Sequence, residues 1–120
     1  MAENTTITHT VYREGDNSTI TGKVVFDATA ITAADYIEID LGFKPRYVSF
    51  QNVTDRIGVE HFQGMADESC VKTAANGTRT LEVTGGNKGI TLTTRGFRVA
   101  QNATLAVIVA SITCFYKAVK

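Results

Sequence analysis

The chain contains one proline, Pro45, and the residues around it restrict the fold more than any other stretch. From Leu41 to Asn52 the sequence reads Leu-Gly-Phe-Lys-Pro-Arg-Tyr-Val-Ser-Phe-Gln-Asn. Upstream, Ile37, Ile39 and Leu41 alternate with Glu38 and Asp40; downstream, Val48 and Phe50 alternate with Ser49 and Gln51. A period of two is the repeat of a strand with one face on a core. Proline fixes one backbone angle and offers no N–H to a ladder, so neither strand runs through position 45. The stretch reads as a sharp corner between two strands, and nothing in it is reactive.

The same alternation recurs on both sides of that corner. Thr5 to Arg13 sets Ile7, His9 and Val11 against Thr6, Thr8, Thr10 and Tyr12, and Thr19 to Phe26 gathers Ile20, Val24 and Phe26 on one face. The turn chemistry of Glu14-Gly-Asp-Asn-Ser18 between them predicts an antiparallel hairpin. Asp27 to Asp35, with Ala28, Ala30, Ala33 and Ala34, fits one helical turn or an irregular crossover. Val53 to Arg56 is a second polar turn, followed by a mixed strand in which Ile57, Val59 and His61 alternate with Gly58, Glu60 and Phe62. Gly64 to Ala75 reads as a loop leading into a short strand near Cys70 to Thr73, and Asn76-Gly77 as a tight turn before a strand over Thr78 to Thr84. Gly85 to Gly89 is a glycine-rich loop, with short strands at Ile90 to Thr94 and Gly96 to Ala100. In Ala103 to Tyr116 both alternating sets are apolar, Leu105, Val107 and Val109 against Ala106, Ile108 and Ala110. That predicts a long central strand covered on both faces, with a bulge or bend near Ala110-Ser111.

Thr, Val and Ile supply 18, 12 and 9 of the 120 residues, and β-branched side chains favour the pleated surface. About eight short strands with regular turn signals predict an all-β fold, an antiparallel β-sandwich whose jelly-roll or immunoglobulin-like connectivity the pattern leaves open. The length suits one domain over residues 1–120, with residues 1–8 as a candidate extended arm.

Charge and composition narrow the function. Twelve basic and twelve acidic side chains balance, so no global field draws in nucleic acid or an anionic membrane. The apolar run Ala103 to Tyr116 is shorter than the roughly 20 residues a spanning helix needs. The polar start, Met-Ala-Glu-Asn-Thr-Thr, lacks the pattern of an export signal, so synthesis and folding in a cytoplasm are expected. In a reducing compartment Cys70 and Cys114 read as two free, buried thiols. Asn4, Asn17, Asn52, Asn76 and Asn102 each begin an Asn-x-Ser/Thr match, but without export they read as turn asparagines.

The search for chemistry finds no reaction centre, cofactor site or metal site. The two imidazoles, His9 and His61, sit in no nucleophile motif. Glu60-His61 beside Asp67-Glu68 is the densest polar constellation, yet adjacent strand residues point to opposite faces, so Glu60 and His61 cannot share a metal without a bulge. Gly85 to Gly89 lacks the Gly-Lys-Ser/Thr ending of a phosphate cradle and precedes a β-branched strand. Tyr36, Phe43, Tyr47, Phe50, Phe62, Phe97, Phe115 and Tyr116 fall at strand spacing and are expected mostly in the core. Their interleaving with Lys44, Arg46 and Arg56 suggests a single-strand nucleic-acid surface, which the zero net charge argues against.

Five short strings remain: Gly42-Phe-Lys-Pro-Arg46; the Asn-x-Thr-Asp-Arg turn at 52–56; Glu60-His61-Phe62-x-Gly64-Met65-Ala66-Asp67; Lys72-Thr-Ala-Ala-Asn-Gly-Thr-Arg-Thr80; and Arg95-Gly96-Phe97. They fall between Leu41 and Phe97, a span of nearly half of the chain, which over that span resembles a group of small virion proteins of tailed bacteriophages. The resemblance implies a non-enzymatic, capsid-associated role, a decoration or cement protein on the capsid exterior, made in the bacterial host cytoplasm. It implies the major capsid protein as partner and self-association as a homotrimer or homodimer, with no nucleic acid, membrane, cofactor or catalytic residue. The segment Ala2, Glu3, Asn4, Thr5, Thr6, Ile7 and Thr8 is the candidate capsid-contact arm, able to add a strand to an edge on the shell. Two alternatives stand beside this: a tail or head-fibre component, and a carbohydrate- or small-ligand-binding β-sandwich with Tyr47, His61 and Asp67 as contacts.

Overall fold

The strands flanking Pro45 form as their alternation requires, and the corner between them carries the chain from one sheet to another. The computed structural model describes Glu3 and residues 7–13, 19–29, 31, 35–83, 89–101 and 107–120. Ten strands occur among them: β1 (Ile7–Arg13), β2 (Thr19–Phe26), β3 (Tyr36–Asp40), β4 (Tyr47–Asn52), β5 (Ile57–Phe62), β6 (Cys70–Thr73), β7 (Arg79–Glu82), β8 (Ile90–Thr93), β9 (Gly96–Ala100) and β10 (Thr113–Val119). A seven-stranded sheet has the order β1-β2-β10-β4-β5-β6-β7, and a three-stranded sheet the order β3-β9-β8. Every strand pairing is antiparallel. The fold is thus the all-β sandwich that the periodicity predicts, with ten strands where about eight are expected.

Burial follows the alternation. Ile20 and Val24 from β2, Val48 and Phe50 from β4, and Cys114, Tyr116 and Ala118 from β10 point inward from the large sheet. They meet Ile37 and Ile39 from β3 and Phe97 and Val99 from β9. Removing each such large apolar side chain from water is worth about 1.5–3 kcal/mol, which makes this interface the main source of stability. The corner is tied to both sheets: Leu41 and Gly42 N–H groups donate to the Arg95 carbonyl at 2.6 and 3.0 Å, and Arg46 N–H donates to the Val119 carbonyl at 2.7 Å. Gly42 has φ of 86°, a left-handed conformation that glycine adopts without strain. Isolated bridges join the sheets at their margins, Glu3 to Tyr36 and Ser69 to Ile90.

The C-terminal segment corrects the sequence reading. The last strand is Thr113–Val119, not a long strand from Ala103 to Tyr116. Val107 and Ile108 are buried in the core without strand structure, and Leu105 and Ala106 lie outside the described residues. A turn at Ala110 and Ser111, with Ser111 at φ 62°, breaks the run where the bend is expected. β10 is covered on one face only: Cys114, Tyr116 and Ala118 are buried while Phe115 and Lys117 are exposed. At Val107 and Ile108, apolar residues in succession record core-filling chain without strand structure, followed by a one-sided strand.

Turn asparagines behave as read where they are described. Asn52 is buried and accepts from Asp55 N–H at 2.9 Å while its Nδ2 donates to Asp55 Oδ2 at 3.0 Å; Asn76 Oδ1 accepts from Thr78 N–H at 3.0 Å. Asn4, Asn17 and Asn102 lie outside the described residues, as do the Glu14 to Ser18 turn and most of the Gly85 to Gly89 loop.

Candidate functional site

Strand parity assigns every side chain of the large sheet to the core or to the outer face, and the outer face is where recognisable binding chemistry accumulates. Across the sheet the register aligns Tyr12, Thr21, Lys117, Ser49, Glu60, Val71 and Leu81 in one outward row. The flanking rows carry Phe115, opposite Lys23 and Gln51, and Phe62, opposite Tyr47. Tyr12, Phe62, Leu81, Val83 and Phe115 are 51%, 48%, 59%, 48% and 41% exposed. Large apolar groups in water on a hydrogen-bonded slab mark interaction surfaces when they recur together.

Local contacts stiffen this face. The Tyr47 and Phe62 rings pack at 5.0 Å, and Lys23 Nζ lies 5.9 Å from the Phe115 ring centre. The Tyr47 hydroxyl donates to Glu60 Oε2 at 2.5 Å, and Arg79 Nη2 donates to Glu60 Oε1 at 3.1 Å. Partial burial, and then the Glu60 hydrogen bond, hold the Tyr47 phenol above its ordinary pKa. The exposed Glu60–Arg79 pair adds little stability, and its effect is to fix two side chains in place.

The sequence-predicted site residues do not converge. Tyr47 is on the outer face of β4, whereas His61 is on the inner face of β5, 1% exposed, with Nδ1 donating to the Ser69 carbonyl at 2.8 Å. Asp67 is exposed in the loop after β5, where it lines a cleft of about 250 Å³ with Tyr36, Glu68, Thr91 and Arg98. The Arg98 guanidinium lies 4.8 Å from the Tyr36 ring centre and 3.6 Å from Glu38 Oε1. That cleft joins residues far apart in the chain, which no local pattern could have grouped. In the candidate arm, Ile7 and Thr8 belong to β1, paired with Phe26 and Val25, and Glu3 bridges to Tyr36. Ala2, Asn4, Thr5 and Thr6 lie outside the described residues.

The aromatic expectation needs one correction. Phe50, Phe97 and Tyr116 are core and Tyr36, Phe43 and Tyr47 are half-buried, but Phe62 and Phe115 are on the outside. Parity supplies the reason and the missed signal: Phe115 is adjacent to inward Tyr116, and Phe62 to inward His61.

His61, Cys70 and Glu82 share the inner face of β5, β6 and β7, with Cys70 paired to Glu82. Burial first, and the Glu82 charge second, push the Cys70 thiol up to about 12, so it stays protonated at neutral pH. Burial does the same to Cys114, also to about 12. Neither cysteine is in a disulfide. Among the described residues no group of three or more His, Cys, Asp or Glu side chains is arranged to hold a metal ion. In the native protein a thiol reagent is expected to label neither cysteine at neutral pH, and to label both in denaturant. An unfolded chain loses its thiol protons from the ordinary 9.0 upward while the folded chain retains them to about 12, so stability should fall as pH rises through that interval. Urea titrations in alkali check this, because a Cys70→Ala, Cys114→Ala double variant should show a shallower decline.

Comparison of the chain with protein-family models, curated proteins and solved structures finds no match.

Proposed function

We propose that the protein is a non-enzymatic structural component of a tailed-bacteriophage particle, a decoration or cement protein on the outside of the head. In this reading it bridges neighbouring copies of the major capsid protein and associates with itself as a dimer or trimer. The observation that carries it is the outer face of the seven-stranded sheet, where Tyr12, Phe62, Leu81 and Phe115 stand in solvent among threonines and lysines. Aromatic anchors on a preorganised surface are the features that dominate protein interfaces. Zero formal net charge suits docking by shape rather than by long-range attraction. The phage-like strings add support from the sequence, because those at 52–56, 60–67 and 72–80 fall on the β4–β5 turn, on β5 with its following loop, and on the β6–β7 hairpin. That half of the sheet carries Phe62 and the Glu60–Arg79 pair.

Heads stripped of the protein and mixed with the purified chain should take it up saturably, and cryo-electron microscopy should find its density on the head. Phe62→Ser combined with Phe115→Ser should weaken uptake about 30-fold, the effect of losing a hot spot of ~2 kcal/mol. Thermal stability should change little, because both side chains stand half in water. Density confined to the tail would refute the head assignment, and undiminished uptake of the double variant would remove this face from the mechanism.

A further inference from the structure

We infer that β7 is a pairing edge whose partner is β7 of a second copy of this chain, joined about a two-fold axis so that the two large sheets become one. The inference takes up the self-association proposed above and assigns it a surface. β6 is paired on both sides, but β7 pairs only with β6, and no strand among the described residues lies along its other edge. Leu81 and Val83 on that margin are exposed, and Val71 extends the apolar area inward. Of the devices that keep edges from pairing, proline is absent from β7, and its two charged residues are engaged within the chain, Arg79 by Glu60 and Glu82 by burial on the inner face. The opposite margin, β1, also has one strand partner, but it turns two threonines, Thr8 and Thr10, and Tyr12 outward, and the chain before it is bridged to β3 through Glu3.

A second copy fits because β7 complements itself. A two-fold axis perpendicular to the sheet keeps both outer faces on the same side, so opposed residues must share a face. Leu81 can then lie opposite its counterpart, or Thr80 opposite its own. With Thr80 on the axis the two arginines at position 79 come within about 7 Å along the strand, and with Leu81 on the axis they stand about 13 Å apart. The Leu81 register therefore wins. It places Arg79 against Val83 of the partner subunit and Thr80 against Glu82 of the partner subunit, and it buries Leu81 and Val83 from both copies. Each Arg79 keeps its contact with its own Glu60 at 3.1 Å, an exposed pair that only partly offsets a second arginine close by. With zero formal net charge, the two copies have no long-range repulsion to overcome. The outer faces then form one continuous surface of twice the width.

Cross-linking reads both the contact and its register. Directly opposed residues in an antiparallel pair have Cα atoms about 4.5–5.5 Å apart, inside the roughly 4.4–6.8 Å span of a disulfide. Leu81→Cys in the otherwise intact chain should oxidise to a covalent dimer about tenfold faster than Arg79→Cys, which faces valine in this register, or Thr10→Cys at the middle of β1. The native cysteines are buried and leave the background low. A Leu81→Cys rate no faster than Arg79→Cys overturns the register and the contact, and fastest cross-linking at Thr10→Cys moves the interface to β1. The free protein is used throughout, so cross-linking at Leu81→Cys without uptake by heads upholds the dimer and sinks the shell reading.

Discussion

Replacing Tyr116 with alanine is expected to lower the free energy of unfolding by about 3–5 kcal/mol, the range for removing a large buried aromatic ring. Tyr116 stands where the two sheets meet. Its ring lies edge-on to Phe97 of the small sheet at 5.4 Å and parallel to Phe50 at 6.5 Å, while Phe50 and Phe97 close the triangle at 6.3 Å. The same ring covers Gly22 on β2, directly opposite in the register, in space that a side chain at position 22 would otherwise occupy. Its hydroxyl is 2.6 Å from His9 Nε2, which ties β10 to β1 across β2. One substitution thus opens a cavity, exposes backbone and removes a hydrogen bond that spans β2 within the large sheet. Against a total stability of about 5–15 kcal/mol, such a loss brings a small domain close to unfolding at room temperature. Urea titration followed by circular dichroism measures it. Tyr116→Phe separates the contributions, since it keeps the ring and loses one hydrogen bond worth about 1 kcal/mol. If alanine costs no more than phenylalanine, ring packing is not what joins the sheets.

The legibility of this chain ends where contacts become non-local. Pro45 with its flanking alternation located β3 and β4 because both signals are local: a missing N–H, a fixed φ and a period of two. Ile20, Val24 and Phe26 could be assigned to one face for the same reason. Sheet membership could not be read, because nothing near Tyr36 to Asp40 says that these residues pair with Gly96 to Ala100 and not with the strand that follows them. Ala103 to Tyr116 misled because burial without strand structure, at Val107 and Ile108, leaves the same apolar letters as a strand covered on both faces. The site shows the same division. Strand parity alone separates Tyr47 from His61, since the register opposes Val48 to His61 and Tyr47 to Phe62, but that register depends on the β4–β5 turn. The exposed margin of β7 is a property of sheet order, and sheet order has no local signature.

Gly96→Ala should be the most damaging of the conservative changes, costing about 3 kcal/mol, the upper end of the overpacking range. A Cβ at position 96 would fall on the carbonyl oxygen of Ile39, with the Leu41 nitrogen 3.1 Å away. Both belong to main chain, which cannot rotate aside as a side chain does. The neighbouring Arg95 carbonyl accepts from Leu41 and Gly42 N–H, so moving β9 away from β3 would also stretch the bonds that hold the proline corner. Phe97, the next residue, would be drawn out of the ring cluster that joins the sheets. Alanine's advantage in the unfolded state, about 0.4–1 kcal/mol, is too small to offset this. Gly58→Ala is the control, because the atoms nearest its Cβ all belong to the Gln51 side chain, which is exposed and can swing away at the loss of its hydrogen bond to the Ser49 hydroxyl. Thermal melts of the two variants should differ widely, with Gly58→Ala near wild type. A Gly96→Ala protein that melts with it would mean that β3 and β9 are not packed main chain to main chain at Asp40 and Gly96, and the register of the small sheet would have to be redrawn.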